Sequence, residues 1–128
     1  MSHFTTVKTE LREKRSILDA CRRMGLQVEE NAQVRGWYGR TTQADIVVRM
    51  GDNYDVGLVM NAAGTYDAVC DWSMGSEAKR VLGADGQILT QEYAASQVVL
   101  EAADRGYSAQ VEHLDDGRIE INLDNFQE

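Results

Sequence analysis

Three strand-length apolar runs between Ala44 and Trp72, separated by two turns rich in glycine and asparagine, constrain this chain more than any other feature in it. The first run is Ala44 to Met50, followed by Gly51-Asp52-Asn53. The second is Tyr54 to Met60, followed by a turn from Asn61 to Thr65. The third is Tyr66 to Trp72. Runs of this length between such turns predict an antiparallel meander. At period two, Tyr54, Val56, Leu58 and Met60 share one face, opposed by Asp55, Gly57, Val59 and Asn61. Tyr66, Ala68, Cys70 and Trp72 repeat the pattern, opposed by Asp67, Val69 and Asp71. One face of the sheet can therefore be buried, and something must cover it.

The flanking sequence offers helices for that cover. Ile17, Leu18, Cys21 and Met24 form one apolar stripe over Glu13 to Met24, with Lys14, Arg15, Arg22 and Arg23 outside. Gly25 is placed to end this helix in the left-handed conformation. The longest helix is expected over Gln91 to Arg105, capped by Thr90 and stopped by Gly106. A short helix from Ser76 to Gly83 precedes it. Strands are expected over Ser2 to Thr9 and Leu26 to Glu30. Two more, Tyr107 to Leu114 and Arg118 to Leu123, flank a hairpin turn at Asp115-Asp116-Gly117. Asn31 to Gln43 is polar and punctuated by glycine, and reads as a long hairpin or exposed ribbon.

The fold class that follows is α+β in a single domain over residues 1–128: a twisted, mostly antiparallel sheet with two main helices packed on one face. Ile17, Leu18, Cys21, Val56, Leu58, Leu100, Ile119 and Ile121 are its expected core. Helix, glycine, strand occurs at Leu18 to Glu30 and again at Leu100 to Glu112. That echo is compatible with a diverged internal duplication.

Composition narrows the classes of function. At 128 residues with 43% hydrophobic and 27% charged residues, the chain has the material for one core. No apolar run approaches the roughly 18 residues of a membrane span, and the start Met1-Ser-His-Phe-Thr-Thr lacks the character of a signal peptide. A cytoplasmic protein is expected. Cys21 and Cys70 fall on apolar stripes and read as buried free thiols. The net charge of −8 argues against a protein that coats nucleic acid and favours a protein partner. The charge is uneven, with Lys and Arg concentrated between Lys8 and Arg49 and acids dominating beyond Met50.

No phosphate-binding loop, dinucleotide fingerprint, H-E-x-x-H, C-x-x-C or G-x-S-x-G is present. No catalytic set, metal site or cofactor is expected from the residues. His113 lies beside the Asp115-Asp116-Gly117 turn and reads as a solvated or hydrogen-bonded side chain. The carboxylates at Glu29 and Glu30, Asp52 and Asp55, and Asp67 and Asp71 read as solvent-facing, with a catalytic meeting of Asp67, Asp71 and Glu92 as the outlying alternative. The most distinctive local feature is Arg35-Gly-Trp-Tyr-Gly-Arg40, in which two guanidiniums flank two aromatics between glycines. Packing of Trp37 and Tyr38 back onto the sheet is the favoured reading of the aromatics; if the segment meets a partner, Arg35, Trp37, Tyr38 and Arg40 are the candidate binding residues, because such types carry much of interface energy and also suit phosphates and bases.

The opening Met1-Ser-His-Phe-Thr-Thr-Val-Lys-Thr resembles that of the hypothetical chloroplast reading frame thirty-five family, as does Val28-Glu-Glu-Asn-Ala-Gln-Val-Arg-Gly36. Ala44 to Arg49, Tyr54 to Gly57 and Tyr66 to Asp71 continue in register, and Tyr93-Ala94 and Gly106-Tyr107 fit the C-terminal helix and strand. Met74 to Leu89 departs from the pattern. The resemblance implies a compact cytoplasmic domain of unknown biochemical role and supplies no catalytic residues. Residues and resemblance together point to a non-catalytic accessory or binding domain acting through protein contacts. The alternatives are nucleic-acid binding through the Arg35 to Arg40 ribbon and, second, an unrecognised small-molecule enzyme.

Overall fold

The computed structural model describes residues 4–36, 39–51, 55–71, 76–83 and 86–125. In chain order the elements are β1 (Thr5–Lys8), α1 (Lys14–Arg23), β2 (Gln27–Arg35), β3 (Thr41–Arg49), β4 (Asp55–Met60), β5 (Tyr66–Cys70), α2 (Ser76–Leu82), α3 (Gln87–Asp104), β6 (Tyr107–His113) and β7 (Ile119–Asn125). The fold is α+β, as expected. Strands β1 to β5 make one antiparallel sheet in the order β1-β5-β4-β3-β2, and β3 to β5 are the meander. The last hairpin, β6 and β7, forms its own two-stranded sheet.

Helix α1 covers the main sheet because Ile17, Ala20 and Cys21 lie on one side of it. They meet Ile46, Val48, Val56 and Leu58 in the principal core. The helix ends as glycine allows: Gly25 takes φ 75°, its N–H donates to the Arg22 carbonyl at 3.0 Å, and the Leu26 N–H donates to Cys21 at 2.9 Å. At the other end Glu13 supplies no side-chain cap. Instead the buried Tyr93 hydroxyl of α3 accepts the Arg12 and Glu13 N–H groups at 3.0 and 2.9 Å, tying the entry of α1 to α3.

Three expectations need correction. Helix α3 begins at Gln87, after Gly86 in the left-handed conformation; Thr90 lies inside its first turns and its hydroxyl donates to the Gly86 carbonyl at 3.1 Å. The helix starts early because Leu89 belongs to the core. Met60 points to solvent at the end of β4. Leu18, Leu100, Ile119 and Ile121 are half-buried rather than central: the first two line a groove between α1 and α3, and the others sit on the separate hairpin. Tyr54 and Trp72, placed on the apolar face from their spacing, lie outside the described residues.

The unexpected part of the fold is the other face of the sheet. Ile46 and Val48 join the principal core, yet Ala44, at the same alternation, packs with Val34 and Val47 in a second cluster. The β2–β3 ladder explains this. Pairing runs from Gln27↔Arg49 to Glu30↔Ile46, skips the next pair, and resumes from Ala32↔Ala44 to Arg35↔Thr41. At the break Asn31 has φ 50°, the non-glycine left-handed residue of the described chain, a conformation asparagine tolerates better than most residues. Beyond it the hairpin bends over β4. The fit is close enough that a Cβ on Gly57 would stand 2.3 Å from Val34 Cγ2 and 2.9 Å from Ala44 Cβ. Gly57 is therefore the contact point for the folded-over hairpin.

Candidate functional site

The bend brings charge as well as apolar side chains onto that face. Asp55, the first residue of β4, is opposite Arg49 in the ladder and has no solvent exposure. Its Oδ2 accepts the Arg35 backbone N–H at 2.8 Å, Arg35 Nε at 2.9 Å and Arg49 Nη1 at 2.6 Å; Oδ1 accepts Arg35 Nη2 at 2.9 Å. Arg49 also donates from Nε to Glu29 at 2.6 Å and from Nη1 to the Gln33 carbonyl at 3.0 Å. One buried carboxylate thus clamps both halves of the bent β2 to β3 and β4 through two guanidiniums. Burial raises the Asp55 pKa, but the Arg35 side-chain and backbone hydrogen bonds and Arg49 outweigh it, and the carboxyl titrates below its usual range. The hydrogen bond to Glu29 and the pairing with Asp55 hold Arg49 above its ordinary value.

An open cleft of about 820 Å³ runs over this cluster, lined by Leu26, Gln27, Glu29, Gln33, Arg35 and Arg49 among others. Its wall offers guanidinium edges and side-chain amides, groups that bind polar chains by hydrogen bonding. Asp55 is committed as a brace, and its depressed pKa suits neither a general acid nor a base poised near neutrality.

A second polar cluster lies in the seam between α1 and α3. Arg23 donates to Asp19 at 3.4 Å, to Glu92 Oε1 at 3.1 Å, to the Glu92 carbonyl at 2.8 Å and to Ser96 Oγ at 2.7 Å. Ser96 Oγ donates to Asp19 at 2.9 Å, and Arg22 also pairs with Asp19. Burial pushes the Asp19 pKa up, but Ser96, Arg22 and Arg23 bring it below the usual value. His113 Nε2 sits 2.6 Å from Glu92 Oε2, linking β6 to α3 while its ring stays half exposed.

Of the candidate binding residues, Arg35 is turned back onto Asp55 and Arg40 is exposed just before β3. Trp37 and Tyr38 lie outside the described residues. Gly36, between them and β2, is buried against the Phe4 ring: a Cβ there would come 2.9 Å from Cζ. Asp67, Asp71 and Glu92 occupy separate settings. Asp67 accepts from Asn61 at 2.9 Å, Asp71 is buried past the end of β5, and Glu92 holds Arg23 and His113. Among the described residues no three His, Cys, Asp or Glu side chains are grouped to hold a metal ion, and no helix is long and apolar enough to cross a membrane. Sequence reasoning placed Asp55 on the solvent face and did not single out Arg49. A usable signal was present: the two flank the turn expected at Gly51-Asp52-Asn53, and they are cross-strand neighbours.

Comparison with known proteins gives a family without a biochemical role. Residues 20–121 match the family model described as "Protein of unknown function (DUF1257)". The chain is 29% identical over 133 residues to the "Uncharacterized protein ycf35" of Guillardia theta, with 99% of each chain covered. The resemblance carried by the N-terminal and meander residues is thus to the same kind of protein. No solved structure matches.

Proposed function

We propose that this chain, which belongs to the DUF1257 family of proteins of unknown function, is a non-catalytic accessory domain that works through protein contacts, with the tip of the β2–β3 hairpin as its contact surface. The observation that carries this reading is the internal use of Arg35. Of the two guanidiniums that flank the ribbon, Arg35 is bound bidentately to a wholly buried carboxylate. A surface built to grip phosphates would present both cations, whereas this one presents Arg40 on a chain of net charge −8. The buried carboxylates Asp19, Asp55 and Glu92 are likewise each held by arginine, which makes them parts of the scaffold. The thiols of Cys21 and Cys70, both buried and not joined in a disulfide, suit a reducing cytoplasm.

The test is a pair of binding measurements on the full chain. Affinity capture from the native host is followed by competition with Trp37→Ala and Arg40→Ala proteins. A protein partner lost more strongly with Trp37→Ala than with Arg40→Ala, and only mildly sensitive to salt, supports the reading. Gel-shift titrations with single-stranded RNA and duplex DNA at two salt concentrations supply the contrary result. Tight binding that falls steeply with salt and disappears in Arg40→Ala would replace it with nucleic-acid recognition.

A further inference from the structure

We propose that the outer edge of β7 pairs with the same edge of a second copy of this chain, giving a symmetric dimer with a continuous four-stranded sheet. The proposal concerns the C-terminal hairpin and is independent of the ribbon. The β6–β7 sheet has two strands, and among the described residues no strand pairs with the free side of β7. A two-stranded ribbon is of marginal stability alone, and an open edge is a template for another strand. Helix α3 lies chiefly under β6, so β7 projects beyond its support.

The side-chain pattern of β7 leaves that edge usable. The His113–Glu92 contact turns one face of the hairpin toward α3, and the register puts Ile119, Ile121 and Leu123 on that face. Leu123 is nonetheless 49% exposed, and Glu120, Asn122 and Asp124 on the opposite face are exposed. No proline interrupts β7, and its charged residues, Glu120 and Asp124, lie on the face away from α3.

Strand overlap limits the pairing to centres near the middle of β7, and among these charge favours one register with a second copy. Antiparallel pairing centred on Ile121 places Ile119 opposite Leu123 of the second copy and Arg118 opposite its Asp124. Symmetry repeats each contact. Moving the centre to Asn122 sets Glu120 against Asp124 twice, and moving it to Glu120 sets that residue against itself. Like charges directly opposed disfavour both. Arg118 is free to exchange partners, since its ion pair with Asp116 is exposed on both sides. The arrangement is isologous and closes at two copies.

Sedimentation velocity on the full chain is expected to give twice the 14.3 kDa monomer mass. Arg118→Asp and Asp124→Arg should each weaken the dimer about tenfold, since each repulsion occurs twice, and the double variant should restore it. Ile121→Cys should form a disulfide-linked dimer on mild oxidation and Asn122→Cys should not, because only the first meets its own copy across the axis; Cys21 and Cys70 are buried and do not compete. A monomer at the highest attainable concentration overturns the proposal. So does a dimer indifferent to both single charge reversals, or one that cross-links equally at Asn122.

Discussion

Replacing Asp55 by Asn tests whether the second face of the sheet is held by charge. Asparagine preserves the volume of the side chain, so no cavity opens, and its oxygen can still accept the Arg35 backbone N–H. Its NH2 group, however, faces guanidinium donors, and two cations lose their counter-charge. Removing one partner of a buried ion pair costs about 3–5 kcal/mol. Here the side chain of Arg35 is 44% exposed and that of Arg49 is 18% exposed. Arg35 regains hydration and Arg49 keeps Glu29, which places the expected loss at the lower end, about 3 kcal/mol. The pH dependence carries a definite sign. The Asp55 pKa is depressed in the folded state, so its contribution is complete above the usual carboxylate range and disappears as pH falls through the folded value. The stability gap between wild type and Asp55→Asn is therefore widest at neutral pH and narrows below about pH 4. Urea unfolding followed by far-UV circular dichroism, repeated across that range, measures the gap. A loss under about 1 kcal/mol at neutral pH, or a gap that does not change with acid, would refute the role assigned to this carboxylate.

Three further outcomes are expected. Gly57→Ala should lose about 1–3 kcal/mol because its new methyl meets Val34 Cγ2, and a double-mutant cycle with Val34→Ala in urea unfolding should show that the combined loss is smaller than the sum. Tyr93→Phe removes the acceptor of the Arg12 and Glu13 N–H groups and should cost about 1–2 kcal/mol, with faster amide hydrogen exchange at those two residues and not across β4. Burial pushes the Cys21 thiol up to about 11, so alkylation in the native protein at about pH 8 should be negligible at Cys21 and become rapid on unfolding.

The meander is legible in the chain because turn residues and apolar runs of strand length are local properties, and β3 to β5 carry both, although only β5 alternates cleanly in burial. Helix α1 and the stop at Gly25 are legible for the same reason. The folded-over hairpin is not, because its cause is one left-handed residue in a stretch, Glu30-Asn31-Ala32-Gln33, whose alternation reads the same whether the strand runs straight or bends. Its consequence did leave a trace. The face opposed to Val56 and Leu58 carries Gly57 and Val59, and Val47 is apolar between Ile46 and Val48; a solvent face would spend those positions on polar residues. Asp55 belongs to that same covered face, so its charge called for a partner rather than for water. The partner Arg35 is 20 residues away in sequence, beyond the reach of any periodicity. Arg35 and Arg40 look equivalent within their six-residue segment, but Arg35 is the last paired residue of β2, opposite Thr41, and its side chain reaches back to Asp55. Arg40 lies just outside the ladder. Topology, not residue type, therefore decides which arginine braces the fold and which stays exposed.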